Sequence, residues 1–185
     1  MCIRDLYMPF NYVNLEAATR AFMVEEIELD VSSGKMNPSS WLSSSGMLEW
    51  PSLLLDAARH GNDSWLAEQL RSKRRLNATT QRRNGSSKAI ICKVPETAPE
   101  TLAEREFNRF YIRAICRRAI AECVSRVIIY RGQSVSTPRS ASQQNIGCAL
   151  DPLALLEAIR GAAQSDNTAV LGLLGPNSGL TIKLP

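Results

Sequence analysis

The chain has 185 residues, a formal net charge of +4, 44% hydrophobic residues and 22% charged residues. This composition is typical of a globular domain and excludes a chain that is disordered throughout. No apolar run approaches the roughly 18 residues that a membrane span needs, and the first ten residues lack the apolar stretch of a signal peptide. We therefore predict one intracellular, cytoplasmic domain of α+β (mixed α/β) class over residues 1–185, with no membrane segment.

The cysteine and histidine content disfavours disulfide frameworks and most metal sites. The five cysteines are odd in number, none forms a C-x-x-C pair, and there is one histidine. Cys116 and Cys123 are predicted to lie on one helix face as small buried apolar residues. His60 and Asp56 could form a base and its orienting partner, but a histidine that stabilises a helix end is the favoured interpretation. We expect no cofactor.

Residues 22–31 (FMVEEIELDV) are predicted to form a strand, because they are rich in β-branched and aromatic residues and partly alternate. Alternation would put Glu26, Glu28 and Asp30 on one face of that strand. Such a face suits an exposed edge, which is favoured, or a site for a hard divalent metal ion. The serine-rich residues 32–46 are predicted to form a loop.

Two helices are predicted over residues 51–60 and 64–74, with Gly61 in the turn and Asp63 or Ser64 as the cap of the second helix. The segment LLLDAARHGNDSWLAEQL resembles the helical part of one ankyrin repeat. That resemblance implies a pair of packed helices, whereas an ankyrin array would need about three or more copies. A plain αα-hairpin is favoured, and a helix-turn-helix is the alternative.

A basic segment follows the helix pair. From Arg71 to Pro95 the chain has basic residues and no acidic one. The basic residues are Arg71, Lys73, Arg74, Arg75, Arg82, Arg83, Lys88 and Lys93. Residues 71–88 are predicted to form a basic loop, with Asn84-Gly85 as a tight-turn signal. This segment is where a polyanion would be attracted, unless it is only a solvated loop.

A strand–long helix–strand unit is predicted next, with strands at 89–94 and within 125–130 and a helix that ends near Val124. This order is typical of a βαβ unit with parallel strands. Residues 131–149 are predicted to form a polar loop.

The C-terminal part is predicted to hold one more helix and a β-hairpin. Asp151 is expected to cap the helix, with Pro152 at its first position. Residues 169–174 and 180–184 are expected to form the two arms of the hairpin.

Four arginines of the long helix, Arg105, Arg109, Arg113 and Arg117, are spaced four apart and therefore form one stripe. A solvated face with glutamate partners is the favoured interpretation. However, Arg113 and Arg117 have no acidic residue three or four positions away. The alternative is an anion site formed by these two arginines.

Three functional hypotheses follow. The first is a non-enzymatic protein that contacts a polyanion, with nucleic acid favoured, through Arg71, Lys73, Arg74, Arg75, Arg82, Arg83, Arg113 and Arg117. The second is a protein-interaction module or homo-oligomer subunit anchored by Trp41 and Trp50. The third is a metal-dependent enzyme that cleaves phosphodiesters with Glu26, Glu28 and Asp30.

Overall fold

The computed structural model describes residues 10–83, 89–135, 140–161, 173, 175 and 178–185, with the backbone alone described at 73, 82, 83, 89 and 141. The helices are α1 (Ala17–Ser32), α2 (Ser44–His60), α3 (Asp63–Arg71), α4 (Ala98–Ala121), α5 (Ser140–Gln144) and α6 (Pro152–Arg160), with a 3-10 turn at Ser72–Arg74. The strands are β1 (Thr79–Arg83), β2 (Ala89–Lys93), β3 (Val127–Arg131), β4 (Ala149–Leu150) and β5 (Leu180–Lys183). The predicted α+β class is confirmed.

Helix α4 forms the centre of the core. It is 24 residues long and packs against α1, α3 and α6. Side chains on all sides of it are buried, among them Phe107, Phe110, Ile112, Ile115 and Ala119, each at most 1% exposed. A helix with buried side chains on several faces has to lie inside the protein, and here α1, α3 and α6 pack against it.

The strand predicted at residues 22–31 is wrong, because this segment belongs to α1. Its buried positions include Met23, Glu26, Ile27 and Asp30, which follow the three- and four-residue spacing of a helix. Leu29 is 44% exposed. The helix thus buries two carboxylates and exposes apolar residues, which is the reverse of the usual pattern. Because of this reversal, the hydrophobic residues of the segment do not show the period of a helix.

The predicted helix pair is present as α2 and α3, with shifted starts. Helix α2 begins at Ser44, because the Ser43 side chain caps it by accepting a hydrogen bond from Gly46 N at 3.1 Å. Pro51 therefore lies inside the helix, and the loop predicted for 32–46 is shorter at both ends. Asn62 caps α3 through Trp65 N at 2.9 Å, in place of the predicted Asp63 or Ser64.

The strands form two separate antiparallel sheets in the described part of the chain. One contains β1 and β2, with Thr79 facing Lys93, and the other has the order β4-β3-β5. Strands β2 and β3 and the helix between them lie close to their predicted positions. The parallel βαβ pairing is wrong, because β2 pairs with β1, a strand formed by part of the predicted basic loop.

The C-terminal region is partly as predicted. Asp151 caps α6 through Ala154 N at 2.8 Å, and Pro152 is its first residue. Residues 131–149 are not all loop, because they include α5 and the start of β4. Strand β5 is the predicted second hairpin arm and pairs with β3. Of the first arm, 169–174, the described residues include only residue 173, which is helical.

None of the helices in the described part of the chain combines the length and the apolar character that a bilayer span requires.

Candidate nucleic-acid interface

The β1–β2 hairpin carries much of the basic segment. Within the described residues no third strand joins it, and none of its described side chains is buried. Lys93 is exposed and forms no ion pair with another described residue. The predicted contacts Arg82 and Arg83 lie on β1, where the backbone alone is described. Residues 84–88, which include Lys88 and the predicted turn, lie outside the described residues.

The arginines before the hairpin differ in accessibility. Arg74 is exposed and lacks an ion-pair partner among the described side chains. The Arg71 side chain is 55% exposed but pairs with Glu100 of α4. Lys73 precedes Arg74 in the 3-10 turn, and only its backbone is described. Arg71 and Arg74 therefore lie at the surface beside the hairpin, as predicted contacts should.

Arg75 is buried and is not available to a ligand. It is 4% exposed, and its Nε donates to Glu49 Oε2 at 2.8 Å. Its Nη1 donates to the Gln69 carbonyl at 2.5 Å and to Ser72 Oγ at 3.1 Å. The prediction that Arg75 contacts a polyanion is therefore wrong, because every hydrogen bond described for its guanidinium is internal and joins α2 to the end of α3.

Arg113 is likewise an internal residue. It is 1% exposed, and its Nε donates to Glu26 Oε2 at 2.7 Å. Its Nη1 and Nη2 donate to the two carboxylate oxygens of Asp30 at 2.7 and 2.9 Å. The spacing of acidic residues along α4 could not reveal these carboxylates, because they belong to α1. Arg113 cannot contact an external phosphate, so this prediction is also wrong.

The remaining arginines around Glu26 extend the same network. Arg117 Nη1 donates to Glu26 Oε1 at 3.1 Å and its Nη2 to Glu25 Oε2 at 2.8 Å. Arg160 of α6 also pairs with Glu26. Arg109 pairs with Glu106 at 2.9 Å. Arg117, with its side chain 31% exposed, is thus neutralised by acidic residues rather than free for a polyanion.

Burial and the neighbouring arginines shift the pKa of the Glu26 carboxyl in opposite directions. Burial alone would raise its pKa, but hydrogen bonds from Arg160, Arg117 and Arg113 and the charge of Arg113 outweigh burial and lower the pKa of Glu26. The carboxylate therefore stays ionised, and its neighbours are cations.

The predicted metal-binding face of Glu26, Glu28 and Asp30 does not form. Glu26 and Asp30 surround Arg113, whose positive charge would repel a divalent cation. Glu28 lies apart from them, with its side chain 57% exposed and 3.6 Å from Arg59. Among the described residues, no group of three histidine, cysteine or acidic side chains is placed to hold a metal ion.

The two tryptophans predicted as interface anchors have different environments. Trp50 is 2% exposed and belongs to the core, so it cannot anchor a partner. Trp41 is half-buried. Its carbonyl accepts a hydrogen bond from Asn77 N at 2.8 Å, which places it beside the strand that leads into the hairpin.

The possible base His60 and its orienting partner Asp56 are not paired in the structure. His60 and Asp56 are both exposed, and no hydrogen bond joins them in the described structure. Burial raises the pKa of the Cys116 thiol, which is buried as predicted. Cys123 was predicted to be buried, but it is exposed just after the end of α4.

Comparisons of the chain with protein-family models, with curated proteins and with solved structures found no match.

Proposed function

We propose that this protein binds nucleic acid, and that the β1–β2 hairpin with the preceding turn at Arg74 is its contact element. The observation that supports this proposal is an accessible two-stranded hairpin, in which none of the described side chains is buried. This hairpin belongs to a segment, Arg71 to Pro95, that has no acidic residue. Two-stranded ribbons of this kind fit the grooves of double-stranded DNA. Phosphates would neutralise the cations and release counterions.

The structure narrows the predicted contact set. Arg113, Arg117 and Arg75 are removed from it because carboxylates of the protein neutralise them. Arg74 and Lys93 remain at the surface without an ion-pair partner among the described side chains, and Lys73, Arg82 and Arg83 remain on the same stretch of backbone. Arg71 is exposed too, but it pairs with Glu100 and therefore contributes less charge to the contact. Because cations are attracted to phosphates whatever the bases are, the contact that we propose is mainly with the phosphate backbone and is independent of sequence.

The test is a charge-reversal variant, Arg82→Glu, Arg83→Glu and Lys93→Glu, measured by fluorescence anisotropy on a labelled duplex over a range of salt concentrations. We expect weaker binding and a shallower dependence of log K on log salt, by roughly 0.9 for each lost phosphate contact. The matched control is Lys35→Glu, Arg59→Glu and Arg126→Glu, which changes the net charge equally at exposed positions outside the hairpin.

Comparison of the two variants distinguishes binding at the hairpin from attraction that depends only on the net charge of the protein. If the control weakens binding as much as the hairpin variant does, net charge governs the interaction and the hairpin has no special role. If neither variant changes binding, or if the wild-type protein binds no nucleic acid at low salt, the proposed function is wrong. Circular dichroism of both variants establishes that the fold is retained.

A further inference from the structure

A cavity of about 190 Å³ lies between α4, the ends of β3 and β5, and the loop that carries Trp41. Sites for drug-sized ligands have about 300–1,000 Å³, so this cavity has room for a single small ring system. Its walls include the rings of Phe10 and Trp41. Thr101, Glu104, Arg105 and Asn108 form the helical wall, because their spacing puts them on one face of α4.

The opposite wall depends on a close backbone approach at Gly179. This residue has φ of +61°, and a Cβ there would lie 2.5 Å from the Gln133 carbonyl oxygen. In return, the Gly179 carbonyl accepts hydrogen bonds from Gly132 N at 2.9 Å and Gln133 N at 3.2 Å. Glycine at position 179 thus lets the segment before β5 pack closely against the segment that follows β3, at the wall of the cavity.

Asn108 is a polar residue of the cavity wall. It is 4% exposed, and its Nδ2 donates to the Leu180 carbonyl at 2.9 Å. That bond fixes the amide orientation, and its Oδ1 is buried without a hydrogen-bond partner in the described part of the protein. Buried side-chain acceptors are rarely left unpaired. A ligand in the cavity that carries an N–H group would satisfy this oxygen.

The position of the cavity connects it with the hairpin. Trp41, in the cavity wall, accepts the hydrogen bond from Asn77 N, two residues before β1 begins. The neighbouring Ser40 hydroxyl lies 3.3 Å from that of Thr80 on β1. At the cavity, the Arg105 side chain is 70% exposed. An unpaired nucleotide beside a duplex held on the hairpin could therefore reach the cavity, since only an unpaired base has its edge free.

We propose that the cavity binds one nucleobase, with Asn108 Oδ1 accepting a hydrogen bond from an N–H group of the base and Phe10 and Trp41 bordering its ring. A base has the required shape, because it is a small planar ring system with N–H groups at its edge. Aromatic side chains in single-strand binding proteins contact bases in a comparable way. This inference rests on the proposed nucleic-acid function and adds a base site to it.

The test uses the four ribonucleoside monophosphates as probes, titrated into the full chain and followed by the Asn108 side-chain amide signal in ¹H–¹⁵N NMR spectra. We expect at least one nucleotide to shift this signal, whereas ribose 5-phosphate does not. Thr101→Phe, which adds a ring to the cavity wall, should weaken binding at least tenfold. Asn108→Leu should do the same, with binding followed by the side-chain amide signal of Gln133, which also lines the cavity. The control is Ile120→Phe on an exposed part of α4 outside the cavity.

Several outcomes would overturn the base site: equal binding of ribose 5-phosphate, no shift with any nucleotide, or full affinity in Thr101→Phe. The charge-reversed hairpin variant distinguishes the two proposals. If it loses the duplex but keeps the mononucleotide, both proposals hold. If the mononucleotide binds while the hairpin variant keeps full duplex affinity, only the hairpin function fails. If duplex binding depends on the hairpin and no mononucleotide binds, only the base site fails.

Discussion

Cys123 occupies a backbone conformation that ordinarily selects glycine. Its φ is +56°, in the left-handed region, and it directly follows the C-cap of α4. Val124 N donates to the Ala119 carbonyl at 2.8 Å and Cys123 N to the Ile120 carbonyl at 3.2 Å. This pair of bonds is the Schellman motif, in which the left-handed residue is commonly glycine because it has no Cβ to strain.

Replacing Cys123 with glycine should therefore stabilise the protein. We expect Cys123→Gly to raise the free energy of unfolding by about 0.5–1 kcal/mol, since relief of the strained φ exceeds the added freedom of the unfolded chain. Urea denaturation measures the change. Cys123→Val, with a β-branched side chain in the same conformation, should lower the stability instead.

Cys148→Ala is the control, because Cys148 is also exposed but does not hold this conformation. It should leave the unfolding free energy within about 0.5 kcal/mol of the wild-type value. Should Cys123→Gly lower the stability, the left-handed conformation would not be a source of strain.

At the scale of elements, the buried charges of α1, α4 and α6 connect the helices. Glu26 is 0% exposed and accepts hydrogen bonds from Arg113, Arg117 and Arg160, which belong to two other helices. Removing one partner of a buried ion pair leaves the other charge without compensation, and this costs about 3–5 kcal/mol. The network thus fixes how α1 and α6 dock on the central helix.

Glu26→Gln tests this role. We expect the free energy of unfolding at neutral pH to fall by about 3 kcal/mol, the lower end of the range for a broken buried ion pair, because the variant retains the shape of the side chain but removes the carboxylate that three arginines share. Asp30 still pairs with Arg113 and Glu25 with Arg117, which limits the loss. The matched control is Glu28→Gln on the same helix, where the side chain is 57% exposed and the ion pair with Arg59 is long at 3.6 Å. It should change stability by less than about 0.5 kcal/mol.

The same pair of variants predicts a pH dependence. Because the pKa of Glu26 is lowered in the folded protein, its contribution is fully present above the ordinary value of 4.5 and is lost as the pH falls below it. Wild-type stability should therefore decline below about pH 4.5, and less steeply in Glu26→Gln than in Glu28→Gln. Parallel pH profiles for the two variants would show that Glu26 is not the titrating group.

The limits of sequence-based prediction follow from the range of the interactions. Local signals gave the cap at Asp151, the turn at Gly61 and the α2–α3 pair correctly, because their partners lie within a few residues. The helical period of α1 was hidden because Glu26 and Asp30 occupy buried positions. These carboxylates can be buried because they pair with Arg113, which lies more than 80 residues away in the sequence. The cavity could not be predicted either, since its walls come from distant segments.

At the scale of the whole molecule, the β1–β2 hairpin is structurally separate from the helical core. Its two strands form a sheet of their own, and the core cluster contains none of their described side chains. The chain enters and leaves the hairpin at neighbouring positions, because Val94 N donates to the Ala78 carbonyl at 3.0 Å. Among the described side chains of the strands, the Thr80 hydroxyl forms an exposed contact with the hydroxyl of Ser40 in the adjacent loop.

This separation predicts that the hairpin can be removed without loss of the fold. Replacing residues 79–93 by Asn-Gly, the preferred two-residue connection between adjacent antiparallel positions, should change the free energy of unfolding by less than about 1 kcal/mol, because no described buried side chain is lost. Denaturant titration measures this, and anisotropy on the same duplex should show that binding is lost. A stability loss of several kcal/mol would mean that the hairpin supports the core. In that case its basic residues could no longer be assigned to binding alone, because removing them would also disturb the fold.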